Sequence, residues 1–170
     1  MPPAPQTIIS SSINPANLLE LQVLTNITSQ LQSQGDIQNS IPYLAKIVQI
    51  VESQRLGEKP TEPEKRQGYY KQFNELRKIK AEAYAHLADA YFKTQQFVQC
   101  ESSLLISVKI WEKLVQHEPE EAEHSNKQLQ IAYKQLYACY KAMGKTQLAE
   151  HIQTKLSRLF DTKNKLHKNI

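Results

Sequence analysis

Five histidines and two cysteines are the side chains of this sequence best suited to hold a metal or act as a nucleophile. His117 and His124 bracket an acidic run, "EPEEAE", which raises the question of a zinc site. A His-Glu-x-x-His site needs its ligands one helical turn apart. Here the two histidines are further apart, and Pro119 between them breaks the geometry. No histidine among 86, 117, 124, 151 and 167 has a Cys or Asp at ligand spacing. Cys100 and Cys139 fit neither a metal motif nor a disulfide framework, and no Ser or Cys lies in a nucleophile context. A Gly-rich phosphate loop is also missing. The expectation is a protein that is not an enzyme, with no metal and no cofactor, whose histidines lie at the surface. Its thiols are expected to be reduced and buried.

Charge offers more. Lys127, Lys134, Lys141 and Lys145 fall within about 40° of one another at 100° per residue, opposite the apolar stripe Leu129–Tyr133–Leu136–Tyr140. A row of lysines repels itself unless something acidic faces it. The stripe therefore reads as an acidic docking site, filled by a partner's acidic segment or by this chain's own "EPEEAE". The competing reading for each single lysine is a solvated face. A second cluster sets Tyr69, Tyr70 and Phe73 beside Lys71, Arg77, Lys78 and Lys80. Such residues can stack on single-stranded RNA, but more often they cover a neighbouring hairpin. Trp111, spaced helically with Leu104 and Val108, reads as core.

These side chains need a scaffold, and the sequence describes it in some detail. With 170 residues, 40% hydrophobic and 22% charged, the chain is one globular domain. Alternating strand patterns are missing, and the apolar runs "LLISV" and "IVQIV" are far too short to span a membrane. The start, "MPPAPQTIISSSINP", has no basic n-region or apolar h-region, so no secretory signal is expected. Helical stripes run through 17–33 (Leu18, Leu19, Leu21, Leu24, Ile27, Leu31) and 36–53 (Ile37, Ile41, Leu44, Ile47, Val51). Asn14 and Pro15 mark the first helix start and Gly35 its stop. Gly57, Pro60 and Pro63 break the chain at 54–66, where Thr61 with Glu64 forms a capping-box signature. Further helices are expected near 63–94 and 97–117. Another opens at Pro119 and ends at Gly144, and a last one, capped by Thr146, fades near 162. The expected organisation is a flexible arm at 1–14, a helical domain at 15–162 and a frayed basic tail at 163–170. The domain divides into hairpins at about 15–53, 63–117 and 119–162. Residues 1–54 carry a net −2, 55–80 +4, 81–126 −5 and 127–170 +7, which suggests different faces for different partners.

The segment 81–107 resembles a tetratricopeptide repeat, a helix-turn-helix unit of 34 residues. Tyr84, Leu87, Ala88, Tyr91 and Phe97 stand at that family's large and small positions, followed by Cys100, Leu104 and Ser107. Residues 21–52 match more weakly through Leu24, Ile27, Thr28, Leu31, "GDI" at 35–37, Ser40, Leu44 and Ile47. A third unit at about 130–161 aligns Tyr133, Leu136, Tyr140 and Ala149, with Tyr137 at a small position and Thr146 at an aromatic one. The starts at 21, 81 and 130 lie 60 and 49 residues apart, so the helices are longer than the family's. The resemblance implies an all-α antiparallel helix-hairpin solenoid of about six helices, in which small residues let paired helices cross closely.

Arrays of this kind bind partners, so the resemblance implies a non-catalytic adaptor or scaffold that grips a partner protein in a concave groove. Carried over by alignment, the groove positions are Gln22, Thr25, Ser29 and Gln32, then Glu82, Ala85, His86, Asp89 and Lys93, then Lys134, Ala138 and Lys141. Members that clamp a chaperone's C-terminal carboxylate use Lys, Asn and Arg where this chain has Thr25, Ser29, His86, Ile131 and Gln135. That clamp is therefore not expected. The alternatives are an RNA- or membrane-associated factor using the basic C-terminal block, and a structural subunit of a larger assembly. The expected location is intracellular: the cytoplasm, with the nucleus as alternative.

Overall fold

The helix that starts at Pro15 is fastened at its N-terminal end. Asn14 Oδ1 accepts from the Ala16 amide at 3.0 Å, with Pro15 at the first helical position, where no amide is needed. Gln54, buried at the far end of the next helix, holds the same spot. Its Oε1 accepts from the Asn14 amide at 2.7 Å and its Nε2 donates to Asn17 Oδ1 at 3.1 Å. The computed structural model describes the backbone of residues 12–168 and the side chains of 12–162, 164 and 165. Among the described residues there are six α-helices and no strand. They are α1 (Pro15–Ser33), α2 (Ile37–Ser53), α3 (Pro63–Lys93), α4 (Phe97–His117), α5 (Ala122–Ala142) and α6 (Thr146–Lys168), with a 3₁₀ turn at Pro119–Glu121 before α5. Each helix packs on the next, giving a run of antiparallel hairpins.

Three hairpin turns share one backbone design. Gly35, Gln95 and Gly144 all have positive φ, at 78°, 61° and 72°. In each turn the following amide reaches back to the same carbonyl: Asp36 to Leu31 at 2.9 Å, Gln96 to Tyr91 at 2.8 Å, Lys145 to Tyr140 at 2.9 Å. Two of the three positions hold glycine, the residue without a Cβ penalty in this region. Gln95 adopts it at a steric cost of about 1 kcal/mol. Gln95→Gly is expected to stabilise the chain by roughly 0.5 kcal/mol after the entropy of glycine is deducted. A higher urea midpoint would show this, and an unchanged or lower one would contradict it.

The core forms two clusters along the run. Ile41, Leu44, Val48 and Val51 of α2 meet Ala83, Leu87 and Ala90 of α3, with Leu21 of α1 packed against them. The larger cluster joins α3 to α6 through Ala81, Ala88, Cys100, Leu104, Val108, Trp111, Leu129, Leu136, Ala149 and Leu156, among others. Ala81, Ala88 and Ala90 are fully buried; small side chains here allow close helix approach. Tyr137, at a position expected to be small, is half-buried against the larger cluster.

Several expectations need correction. Leu19, placed in the buried stripe of α1, is 70% exposed, and Thr28 is the buried residue of that helix. The Thr61–Glu64 capping box does not form: Glu62 is the N-cap of α3, without a side-chain cap. Arg66 fixes the linker instead, donating to the Pro60 and Thr61 carbonyls at 3.2 and 3.1 Å. Thr146 is the first helical residue of α6, not a residue before it. That helix also does not fade near 162 but runs to Lys168. No glycine or proline follows Gly144, and Lys and Leu are good helix formers, so nothing there stops the backbone. At the other end, Ser12 and Ile13, assigned to the flexible arm, are buried. Residues 1–11 of that arm, residues 169–170 of the basic tail and the His167 side chain lie outside the described residues.

Candidate partner-binding face

Counted from each left-handed turn residue, Thr25, Ala85 and Lys134 are equivalent, as are Ser29, Asp89 and Ala138. These residues sit on α1, α3 and α5, the first helix of each hairpin. A hydrogen bond links α3 to α5 here: Gln135 Nε2 donates to Asp89 Oδ1 at 3.1 Å. Gln22, Thr25, Ser29 and Gln32 of α1 are exposed, as are Glu82, His86 and Lys93 of α3, while Ala85 and Asp89 are half-buried. Lys93 pairs with Asp89 at 2.9 Å, one turn away on the same helix. On α5, Lys134 and Lys141 are exposed and Ala138 is half-buried.

The lysine stripe is not a row of equivalent free charges. Lys127 lies 3.8 Å from Glu123 on its own helix, so one carboxylate of the "EPEEAE" run does face the stripe. Lys145 reaches across to Glu101 of α4 at 3.1 Å. Lys134 Nζ stands 5.9 Å from the centre of the Phe160 ring on α6. Lys141 has no ion pair among the described residues. Between Lys127 and Lys134 lies Ile131, 62% exposed. It is an apolar residue opposite a helix's core stripe, the one signal in the sequence that could have marked it.

Two of the run's four carboxylates have another partner. Lys78, 9% exposed, is drawn to Glu121 and lies 3.0 Å from Glu118 and 3.8 Å from Glu75. Burial pulls the Lys78 pKa down, but the Glu121 and Glu118 carboxylates outweigh it and the net shift is upward. The hydrogen bond from Lys78 is the main cause that lowers the Glu121 pKa. This cluster ties α3 to the 3₁₀ turn before α5.

Two further bonds repeat. Tyr84 Oη donates to Glu52 Oε1 at 2.9 Å, and Tyr133 Oη to Glu112 Oε1 at 2.6 Å. Each joins the second helix of one hairpin to the first helix of the next. Burial first, then the facing carboxylate, pushes the Tyr84 phenol up to about 12 and raises that of Tyr133 as well.

The aromatic cluster carries its own cations. Tyr69 stacks on Phe73 with ring planes 12° apart, Arg77 lies 4.3 Å from the Phe73 centroid, and Lys59 of the linker sits 4.9 Å from that of Tyr70. Arg77 also contacts His117 Nδ1 at 3.1 Å. Trp111 is 1% exposed in the larger cluster, its ring meeting His124 edge-on at 5.8 Å. Among the described residues no three His, Cys, Asp or Glu groups come together as a metal set. Cys100 and Cys139 are free and fully buried. Burial lifts the Cys100 thiol to about 12 and also raises Cys139, leaving both protonated and poorly nucleophilic. Among the described residues no helix is long and apolar enough to cross a membrane.

No protein-family model, curated protein or solved structure matches this chain.

Proposed function

We propose that this chain is a non-catalytic, intracellular adaptor of the tetratricopeptide-like kind, holding an acidic segment of a partner protein along the face shared by α1, α3 and α5. The observation that carries the reading is the composition of that face on α5. Ile131, 62% exposed, stands between exposed Lys127 and Lys134, with exposed Lys141 further along the helix. An apolar anchor ringed by cations suits a segment that brings both a hydrophobic side chain and carboxylates. Thr25, Ser29 and His86 supply polar, uncharged or titratable contacts on the neighbouring helices, while Asp89 and Lys93 pair with each other. Residues already paired within the chain, Lys127 and Lys145, rank behind Lys134 and Lys141 as partner contacts.

The test is affinity capture from native extract with stepwise salt elution, wild type beside Lys134→Glu/Lys141→Glu. The double variant is expected to lose a discrete protein, with binding weakened about tenfold or more. Recovery of the same RNA or lipid by both variants would sink the proposal and favour the basic block as a polyanion contact.

A further inference from the structure

Inside the molecule, the junction between one hairpin and the next is built twice from the same parts. Val51 and Glu52 of α2 face Ala83 and Tyr84 of α3; Trp111 and Glu112 of α4 face Ala132 and Tyr133 of α5. Counted from the turn residues 35, 95 and 144, Val51 and Trp111 are equivalent, Glu52 and Glu112 are equivalent, and the two tyrosines are equivalent. The same count reaches residues at the two open ends. Phe160 and Asp161 of α6 take the places of Val51–Glu52 and Trp111–Glu112. Val23 and Leu24 of α1 take those of Ala83–Tyr84 and Ala132–Tyr133.

At the ends, Val23 and Phe160 are exposed, with no described residue covering them. Ala83 and Ala132 are 8% and 4% exposed, but Val23 is 48% exposed, and Leu19 one turn before it is 70% exposed. Val51 and Trp111 are 2% and 1% exposed, whereas Phe160 is 42% exposed. One end of the chain thus carries the positions of Ala83 and Ala132 in the internal junction, and the other end those of Val51 and Trp111. We propose that copies of this chain stack head to tail, Phe160 of one copy seating against Leu19 and Val23 of the next, so that the hairpin run continues from molecule to molecule.

Charge favours a second copy as the occupant. The end helix α1 carries Glu20 and no Lys or Arg, while the end helix α6 carries five Lys and Arg residues against Glu150 and Asp161. The two ends attract, and two copies meeting by like ends would not gain this. The contact is heterologous, so it propagates rather than closing as a pair. It is also weaker than the internal junctions, for two visible reasons. Gln153 and Ser157 of α6 are exposed where Leu104 and Val108 of α4 are buried. Leu24 has no hydroxyl for Asp161, where Tyr84 and Tyr133 bond their carboxylates. The assembly is therefore reversible and concentration-dependent.

Sedimentation velocity of the full chain, from micromolar to near-millimolar concentration at low salt, tests the proposal with two end-blocked variants. Wild type is expected to grow steadily in mass with concentration. Val23→Glu and Phe160→Glu, each blocking one end, are expected to weaken growth at least about tenfold. Mixed together, the two variants should form a one-to-one dimer that grows no further, because each retains the end the other lacks; this also reports that both are folded. Leu24→Tyr should tighten the wild-type assembly by supplying the missing donor to Asp161. A wild type that stays monomeric throughout overturns the proposal. So does a Phe160→Glu chain that associates like wild type, which would point to an α1-to-α1 pair, or a variant mixture that stays monomeric.

Discussion

Trp111→Ala is expected to destabilise the chain by about 3–5 kcal/mol. The indole is 1% exposed and sits where α4 meets α5, among Leu104, Val108, Leu129 and Leu136. Replacing it leaves a cavity that rigid neighbouring helices cannot close, and removes the edge-on contact to the His124 ring at 5.8 Å. For a chain of this length, a loss of that size lowers the melting temperature by roughly 10 °C. The loss also has a direction along the molecule. A hairpin run is held by nearest-neighbour junctions, so amides of α5 and α6 should exchange much faster while those of α1 and α2 change little. Phe160→Ala, at the equivalent position of α6 but 42% exposed, is expected to cost under about 1 kcal/mol in the monomer. Equal losses from the two substitutions would show that the junction is not where the stability resides.

Much of the fold was readable because its signals are local. Gly35 and Gly144 stop helices in the sequence as in the structure, and the stripe Ile37, Ile41, Leu44, Ile47, Val51 describes α2 from its apolar spacing alone. What escaped depends on which helix lies beside which. Leu19 belongs to an apolar stripe by spacing, yet α1 is the first of the six described helices and no described residue covers that side. Lys78 looks like one more cation in a basic patch, and its burial arises only because the 3₁₀ turn brings Glu118 and Glu121 over it. The site was legible to the same extent. Lys134 and Lys141 are exposed as their spacing requires, but the pairing of Lys145 with Glu101 links residues far apart in sequence and has no local trace. α6 continues through its polar last turns because backbone continuity needs only the absence of a breaker, and polarity by itself ends no helix.

Lys78→Met is expected to destabilise the chain by about 3 kcal/mol at neutral pH. Methionine keeps the apolar stem and deletes the charge, so the loss reports the ionic cluster rather than packing. The Lys78 side chain is 11% exposed and that of Glu118 is 14% exposed. Glu118 Oε2 is buried without an aligned hydrogen-bond donor, so Lys78 Nζ at 3.0 Å is its compensation. Without the lysine that carboxylate is left buried with no charge partner, which costs free energy. The pH dependence follows from the two shifts. The Lys78 pKa is raised above 10.5, so its contribution is complete below that value and is lost only as pH rises through the higher folded value. The Glu121 pKa is lowered below 4.5, so its contribution is complete above that value and disappears as pH falls through the lower folded one. Wild type should therefore hold a plateau from about pH 5 to pH 10, and Lys78→Met should lie below it with a shallower acid limb. Urea midpoints at neutral pH and near pH 3.5, with Glu118→Gln added to Lys78→Met, separate the contributions. Partial recovery in the double variant is expected, because the unpaired buried carboxylate is gone. No recovery would mean that the cost of Lys78→Met lies in the methionine itself and not in the carboxylate it leaves behind.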